Sequence, residues 1–310
     1  MSALRVGFSL TFFVGFLLVG WWLRRRGVLT PPRAARLTQG VIKYPTPVVL
    51  CFAMWLIRFD TWRVGLLPIL GALISLSMLL PAWLYARWAR FSPPRTGSML
   101  TCALFSNLGY IGAFTAFALF GEEAYALCMV YLLFFGPCFY TLGFSIARSY
   151  GHREDPSFAR PVLADDLRAY PVVGMAVGLI LNLLRAPRPD LLTVVNQALI
   201  PVDTALYLTA IGSYVAFRPA TRWLHPAIAM SLTKFVYAPA VAWVLVTAIG
   251  LEGLPRFVVL LEASMPVAVS AHIFPMLFGL DRELTNTLWL LTTLLAIPWL
   301  LLVLPLLQHL

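Results

Sequence analysis

The stretch PRFVVLLEASMPVAVSAHIFPMLF, residues 255–278, decides how this chain folds. It is apolar and longer than the roughly 20 residues a membrane-spanning helix needs, yet Pro266 stands in its middle, with Glu262 and Ser264 before it and Ser270 and His272 after it. Proline removes a backbone donor and frees the preceding carbonyls. Freed groups at membrane depth persist only where protein buries them or an aqueous cavity meets them. A second stretch of this kind, GSMLTCALFSNLGYIGAFTAFALF at residues 97–120, is interrupted by Ser106-Asn107-Leu108-Gly109-Tyr110-Ile111-Gly112. A shift of 158 residues superposes Asn107 on Met265, so the two interruptions stand at matching places.

The same shift lays Pro81-Ala82 on Pro239-Ala240, Leu119-Phe120-Gly121 on Leu277-Phe278-Gly279, and Leu132-Leu133 on Leu290-Leu291. Reading outward, hydropathy predicts ten spans, at 3–23, 40–57, 64–87, 97–120, 124–147, 170–185, 191–217, 226–249, 255–278 and 284–307. The expected fold is all-α and polytopic: ten transmembrane helices in two five-helix repeats, residues 1–147 and 170–310, joined by a cytoplasmic loop at 148–169. A half with an odd number of spans inserts its copy inverted. Inverted repeats with matched breaks point to a secondary transporter whose site lies where helices 4 and 9 cross.

Composition agrees. Of 310 residues, 60% are apolar and 12% charged, with mean hydropathy +0.84, against about 45–50% and about 25% in soluble domains. This excludes an ordinary soluble, disordered or disulfide-scaffold protein and leaves room for one membrane unit, 1–310. The net charge of +10 reports topology rather than nucleic-acid binding. Counted in alternate loops, sixteen Lys and Arg fall on one face and six on the other, among them Arg188 and Arg256. The richer face is cytoplasmic by the positive-inside rule, with both termini outside. Cys51, Cys102, Cys128 and Cys138 lie inside apolar spans without metal or disulfide spacing and read as small buried residues. The run at 3–23 ends in Arg24-Arg25-Arg26 without a cleavage site and reads as a retained first helix.

Intramembrane ionisable residues are costly and mark function or pairing. Glu262 lies one helical turn before Pro266, Lys234 well inside the eighth span, and His272 beyond the proline. Glu262 could carry a coupling proton, or could form an ion pair with Lys234. Asp203, just after Pro201, could cap a half-helix, and His272 could be a hydrogen-bonded core residue. Walker A, GxSxG, HExxH and Cys/His metal motifs are all missing from the sequence, so no enzyme and no bound cofactor is expected. No charged ring supports a channel.

With these residues in view, the sequence resembles the auxin efflux carrier family of the bile acid:sodium symporter superfamily. The likeness is most specific in EASMPVAVSAHIFPMLFGLDRELTNTLWLLTTLLAIPWLLL, residues 262–302, which is similar to the family's Met-Pro crossover, Gly-Asp turn and Thr-bearing last helix. SNLGYIGAF is similar to its Asn-x-Gly-x-x-Gly-x-Pro crossover at Asn107, Gly109 and Gly112, with Phe114 in place of the proline. The resemblance implies an elevator-like carrier of organic anions, with a dimerising scaffold of helices 1, 2, 6 and 7 and a mobile core of helices 3–5 and 8–10. Relatives are associated with malonate, malate or auxin, an aromatic carboxylate.

The expected site is a carboxylate site in which Asn107 hydrogen-bonds the anion and Ser106, Gly109, Ser264, Met265, Pro266 and Val267 shape the crossing. Glu262, Lys234 and His272 are the expected ion-coupling residues, with H⁺ or Na⁺ as the coupling ion. Expected partners are the anion, the bilayer and a second copy of the chain in a bacterial inner membrane. A non-transporting sensor on the same fold, or a sodium-coupled bile-acid-like symporter, is the alternative.

Overall fold

The computed structural model describes residues 2–57, 62–152, 169–214 and 219–307. Most of the loop expected at 148–169 lies outside them, with Arg153, Glu154, Asp155, Pro156, Asp165 and Asp166, as do Arg58 and Arg218. The architecture is all-helical. Among the described residues the only extended pairing is an isolated antiparallel bridge between Ser106 and Val267.

Among the described residues six helical runs are long and apolar enough to cross a membrane: Gly7–Arg25, Trp62–Trp88, Glu122–Tyr150, Asp190–Gly212, Thr221–Ala248 and Arg282–Val303. The remaining expected spans hold shorter helices. In chain order the elements are α1 Ser2–Arg25, α2 Pro31–Lys43, α3 Pro45–Leu56, α4 Leu67–Ser77, α5 Leu79–Trp88 and α6 Pro93–Leu104. Then come α7 Ala113–Phe120, α8 Glu122–Tyr131, α9 Phe135–Cys138, α10 Phe144–Tyr150, α11 Ala169–Leu183 and α12 Asp190–Gly212. The last five are α13 Leu224–Leu232, α14 Ala238–Ala248, α15 Gly253–Ala263, α16 Ile273–Phe278 and α17 Arg282–Leu307.

Contacts divide the chain into two units. The first comprises the described residues of Met1–Thr61, Gly109–Val130 and Asp165–Val215. Its helices approach closely because glycines remove the side chains between them, the usual solution where no hydrophobic effect drives helices together in lipid. A Cβ at Gly174 or Gly178 of α11 would stand 2.2 Å from the carbonyl oxygen of Pro47 or Cys51 of α3. Asn182 donates to the carbonyls of Trp55 (2.9 Å) and Ile57 (2.6 Å), satisfying acceptors that the end of α3 leaves open. Gly20 and Gly212 form a reciprocal contact between α1 and α12, and Phe114 of α7 stacks on Phe12 of α1 at 4.5 Å.

Asp203 caps no half-helix, contrary to one sequence expectation. Helix α12 runs unbroken through Pro201, and the Asp203 carboxylate instead accepts a 2.7 Å hydrogen bond from the Thr46 hydroxyl. Gly121, at φ +77°, turns α7 into α8 and delivers Glu122 to a buried cluster. There one carboxylate oxygen accepts from both Arg188 (2.5 Å) and Asn196 (2.6 Å).

The second unit comprises the described residues of Trp62–Leu108, Tyr131–Ala164 and Ala216–Leu310. Its core is aromatic: Phe105, Phe139 and Phe274 meet with ring centroids 4.8–5.5 Å apart, and Phe144 and Phe278 extend the cluster. Gly143 makes room for it, since a Cβ there would lie 2.7 Å from Phe274 and 2.8 Å from Phe105. Gly279 closes α16 in the left-handed conformation at φ +69°, which glycine adopts without steric cost. Asp281 follows, accepting from the N–H of Leu284 at the start of α17, while Ser98 donates to its carbonyl. This is the Gly-Asp turn noted in the sequence.

Candidate functional site

Both interrupted stretches are broken helices. In the fourth span α6 stops at Leu104, residues 105–107 are extended or unwound, and helix resumes as a wide π-type turn at Leu108–Gly112 leading into α7. In the ninth span α15 stops at Ala263, and helix resumes at Val269–His272, leading into α16. Proline explains the second break, since Pro266 offers no N–H to continue the ladder. The N–H groups of Ser264 and Met265 fold back to Leu261 and Glu262, tightening the last turn of α15.

The breaks satisfy one another. Asn107 donates its backbone N–H to the Pro266 carbonyl at 2.8 Å, and Ala268 donates to the Phe105 carbonyl at 2.9 Å, flanking the Ser106–Val267 bridge. The N–H of Val267 is met by the Thr292 hydroxyl at 3.2 Å, which itself donates to Leu288 within α17. Three backbone amides at the crossing are therefore already engaged. What remains there for recognition is side-chain chemistry.

Of the expected binding residues, Ser106, Asn107, Ser264, Met265, Pro266 and Val267 come together in the second unit, and all six are buried. Gly109 is grouped with the first unit and stands in the wide turn Leu108–Gly112. Asn107 is 4% exposed, and its side-chain amide nitrogen has no hydrogen-bond partner among the described residues. An amide N–H₂ at membrane depth with no protein acceptor is poised to donate to a ligand.

Lys234 is completely buried, in a π-type turn at Thr233–Tyr237 of the eighth span. Its ammonium donates to the Ala103 carbonyl (2.6 Å), the Ser106 hydroxyl (2.8 Å) and, at 3.4 Å, the Phe105 carbonyl. Those three contacts all lie on the fourth span. Glu262 is fully buried in the last turn of α15. His272 donates from Nδ1 to the Val269 carbonyl (3.0 Å) and packs edge-on against Trp289.

Two functional groupings escape the sequence. Thr292 is one of several hydroxyls in the chain, and its support of Val267 depends on how α17 packs against the break. The Lys234 acceptors are mainly carbonyls, which every residue carries. A proline-freed amide near a Thr-bearing helix was the available signal for the first; nothing in residue type signals the second.

Comparison with known proteins gives this geometry its class. A family model described as "Membrane transport protein" matches residues 9–304. The chain belongs to this family, the auxin efflux carriers that the crossover motifs resemble. It is 25% identical over 290 residues to an uncharacterized transporter of Methanocaldococcus jannaschii, covering 89% of this chain and 91% of that one. It is 24% identical over 287 residues to an uncharacterized transporter of Methanothermobacter thermautotrophicus, covering 91% of each. The protein is thus a multi-pass membrane protein of a transporter family.

Proposed function

We propose that the chain is a secondary active carrier of a small organic anion, a carboxylate of the malonate, malate or auxin-like kind. The observation that carries this is the crossing itself. Two helices break at matching positions, tie together by backbone hydrogen bonds, and leave the buried Asn107 amide as a donor. The starts of the second half-helices add the positive ends of their dipoles, which favour an anion.

In this reading ten helices form two inverted repeats, and helices 3–5 and 8–10 move as an elevator against a dimerising scaffold of helices 1, 2, 6 and 7. The carrier sits in a bacterial inner membrane with both termini periplasmic. Asn107 binds the anion, Gly109, Ser264, Met265, Pro266 and Val267 shape the crossing, and Glu262 couples transport to protons.

The test is thermal stabilisation of the purified protein across mono- and dicarboxylates at two pH values, followed by uptake into proteoliposomes. A carboxylate-specific rise in melting temperature is expected, since a ligand that binds the native state stabilises it by mass action. Asn107→Ala should weaken apparent affinity about tenfold, the loss of one hydrogen bond to a charged group. Unchanged affinity removes Asn107 from the site. Glu262→Gln should keep binding yet lose uptake driven by a pH gradient; full gradient-driven uptake in that variant rejects the coupling role.

A further inference from the structure

The break in the fourth span leaves a backbone acceptor without its normal donor. In an unbroken helix the Ala103 carbonyl would take the N–H of Asn107, four residues on. That N–H is turned instead to Pro266, and Ala103 accepts from the Lys234 ammonium at 2.6 Å. The neighbouring Phe105 carbonyl and Ser106 hydroxyl complete an oxygen cluster around the same nitrogen. Carbonyls at the C-terminal end of a half-helix carry partial negative charge. In transporters with broken helices, such ends are where a coupling Na⁺ is held. Here an ammonium of the same charge, tethered to the eighth span and wholly excluded from solvent, already stands among those oxygens.

We infer that Lys234 is a resident cation: it fills the carbonyl site at the broken end of α6 that would otherwise take a monovalent metal ion, so the crossing is held open without Na⁺ at that position. The three N–H groups of an ammonium match the three oxygens in number. The wide turn at Thr233–Tyr237 places Lys234 in a local departure from regular helix, a feature frequent at functional sites. The meaning of this site for transport rests on the crossing being the carrier's working part. The site itself does not, and its test uses no substrate.

The experiment is the melting temperature of the purified full-length protein in NaCl, KCl and choline chloride at equal ionic strength. It compares the wild type with Lys234→Ala and Lys234→Met. The wild type is expected to melt alike in all three salts. Lys234→Ala should melt roughly 5–10 °C lower, from the loss of charge-assisted hydrogen bonds in a chain of this size. It should then be restored, saturably, by methylammonium or Na⁺ but not by choline. Lys234→Met, which fills the space without a charge, should melt lower and respond to neither ion.

A saturable Na⁺ stabilisation of the wild type overturns the inference. So does a Lys234→Met protein as stable as the wild type, or a folded Lys234→Ala protein indifferent to small cations. If neither variant folds, the wild-type Na⁺ titration decides alone, a flat response supporting the inference and a saturable one overturning it. A carrier inactive toward every carboxylate leaves this result untouched, and a failed cation rescue leaves the anion reading untouched.

Discussion

Arg188→Leu is expected to lower the melting temperature by roughly 5–8 °C, the equivalent of the ~3–5 kcal/mol that breaking a buried ion pair costs in a chain of this size. The Arg188 and Glu122 side chains are 9% and 2% exposed, and both strong contacts of Glu122 converge on one carboxylate oxygen. Without Arg188 that carboxylate keeps, among the described residues, only the Asn196 amide. The cost comes mainly from the charge left behind, so the double variant Arg188→Leu/Glu122→Leu should recover most of the loss. Melting curves of the two variants side by side decide the matter. A single variant melting within about 2 °C of wild type would show that the pair holds nothing together.

Gly212→Val should be comparably damaging for a different reason. A Cβ at Gly212 would lie 2.1 Å from the carbonyl oxygen of Leu17, and one at Gly20 would lie 2.0 Å from that of Thr209. These are backbone atoms of a facing helix and cannot rotate aside. Overpacking of this kind costs about 1–3 kcal/mol or more, so even Gly212→Ala should melt several degrees lower, and Gly212→Val should yield little monodisperse protein on size exclusion. Gly15, on the same helix α1, has nothing within 4 Å of its Cβ position among the described residues. Gly15→Ala is therefore the control and should leave folding unchanged or slightly improved.

Legibility in the sequence divided along physical lines. The all-helical membrane class followed from the length of apolar runs, because the bilayer fixes that length. The break in the ninth span followed from Pro266, because proline acts locally. The fourth span's break was visible as the polar and glycine-bearing segment 106–112, yet which end of that segment unwinds was not. It opens at Phe105–Asn107, ahead of both glycines, because the Phe105 carbonyl and Asn107 amide find partners at Ala268 and Pro266. No local propensity records a hydrogen bond across such a distance in sequence.

The same limit governed the charges. Hydropathy marked Lys234 as costly and therefore meaningful, without showing which groups meet its ammonium. The three oxygens that meet it belong to residues 103, 105 and 106, two of them backbone. Arg188 read as one of six loop cations on the poorer face, although it is buried against Glu122. Charge counting along loops assigns sides of a membrane and is blind to which charges turn inward. Gly20, Gly174, Gly178 and Gly212 were indistinguishable in sequence from glycines such as Gly7 and Gly15, whose Cβ positions have nothing within 4 Å among the described residues. Only the facing helix tells them apart.

The tie between Ser106 and Val267 is written in atoms that all amino acids share. Its two hydrogen bonds join Asn107 to Pro266 and Ala268 to Phe105 through main-chain groups alone. A crossing tied this way keeps that tie when side chains around it other than Lys234 and Thr292 are exchanged, provided no second proline removes a donor. The ligand preference of such a carrier is then free to drift by single substitutions at the crossing, with the joint itself passed on intact.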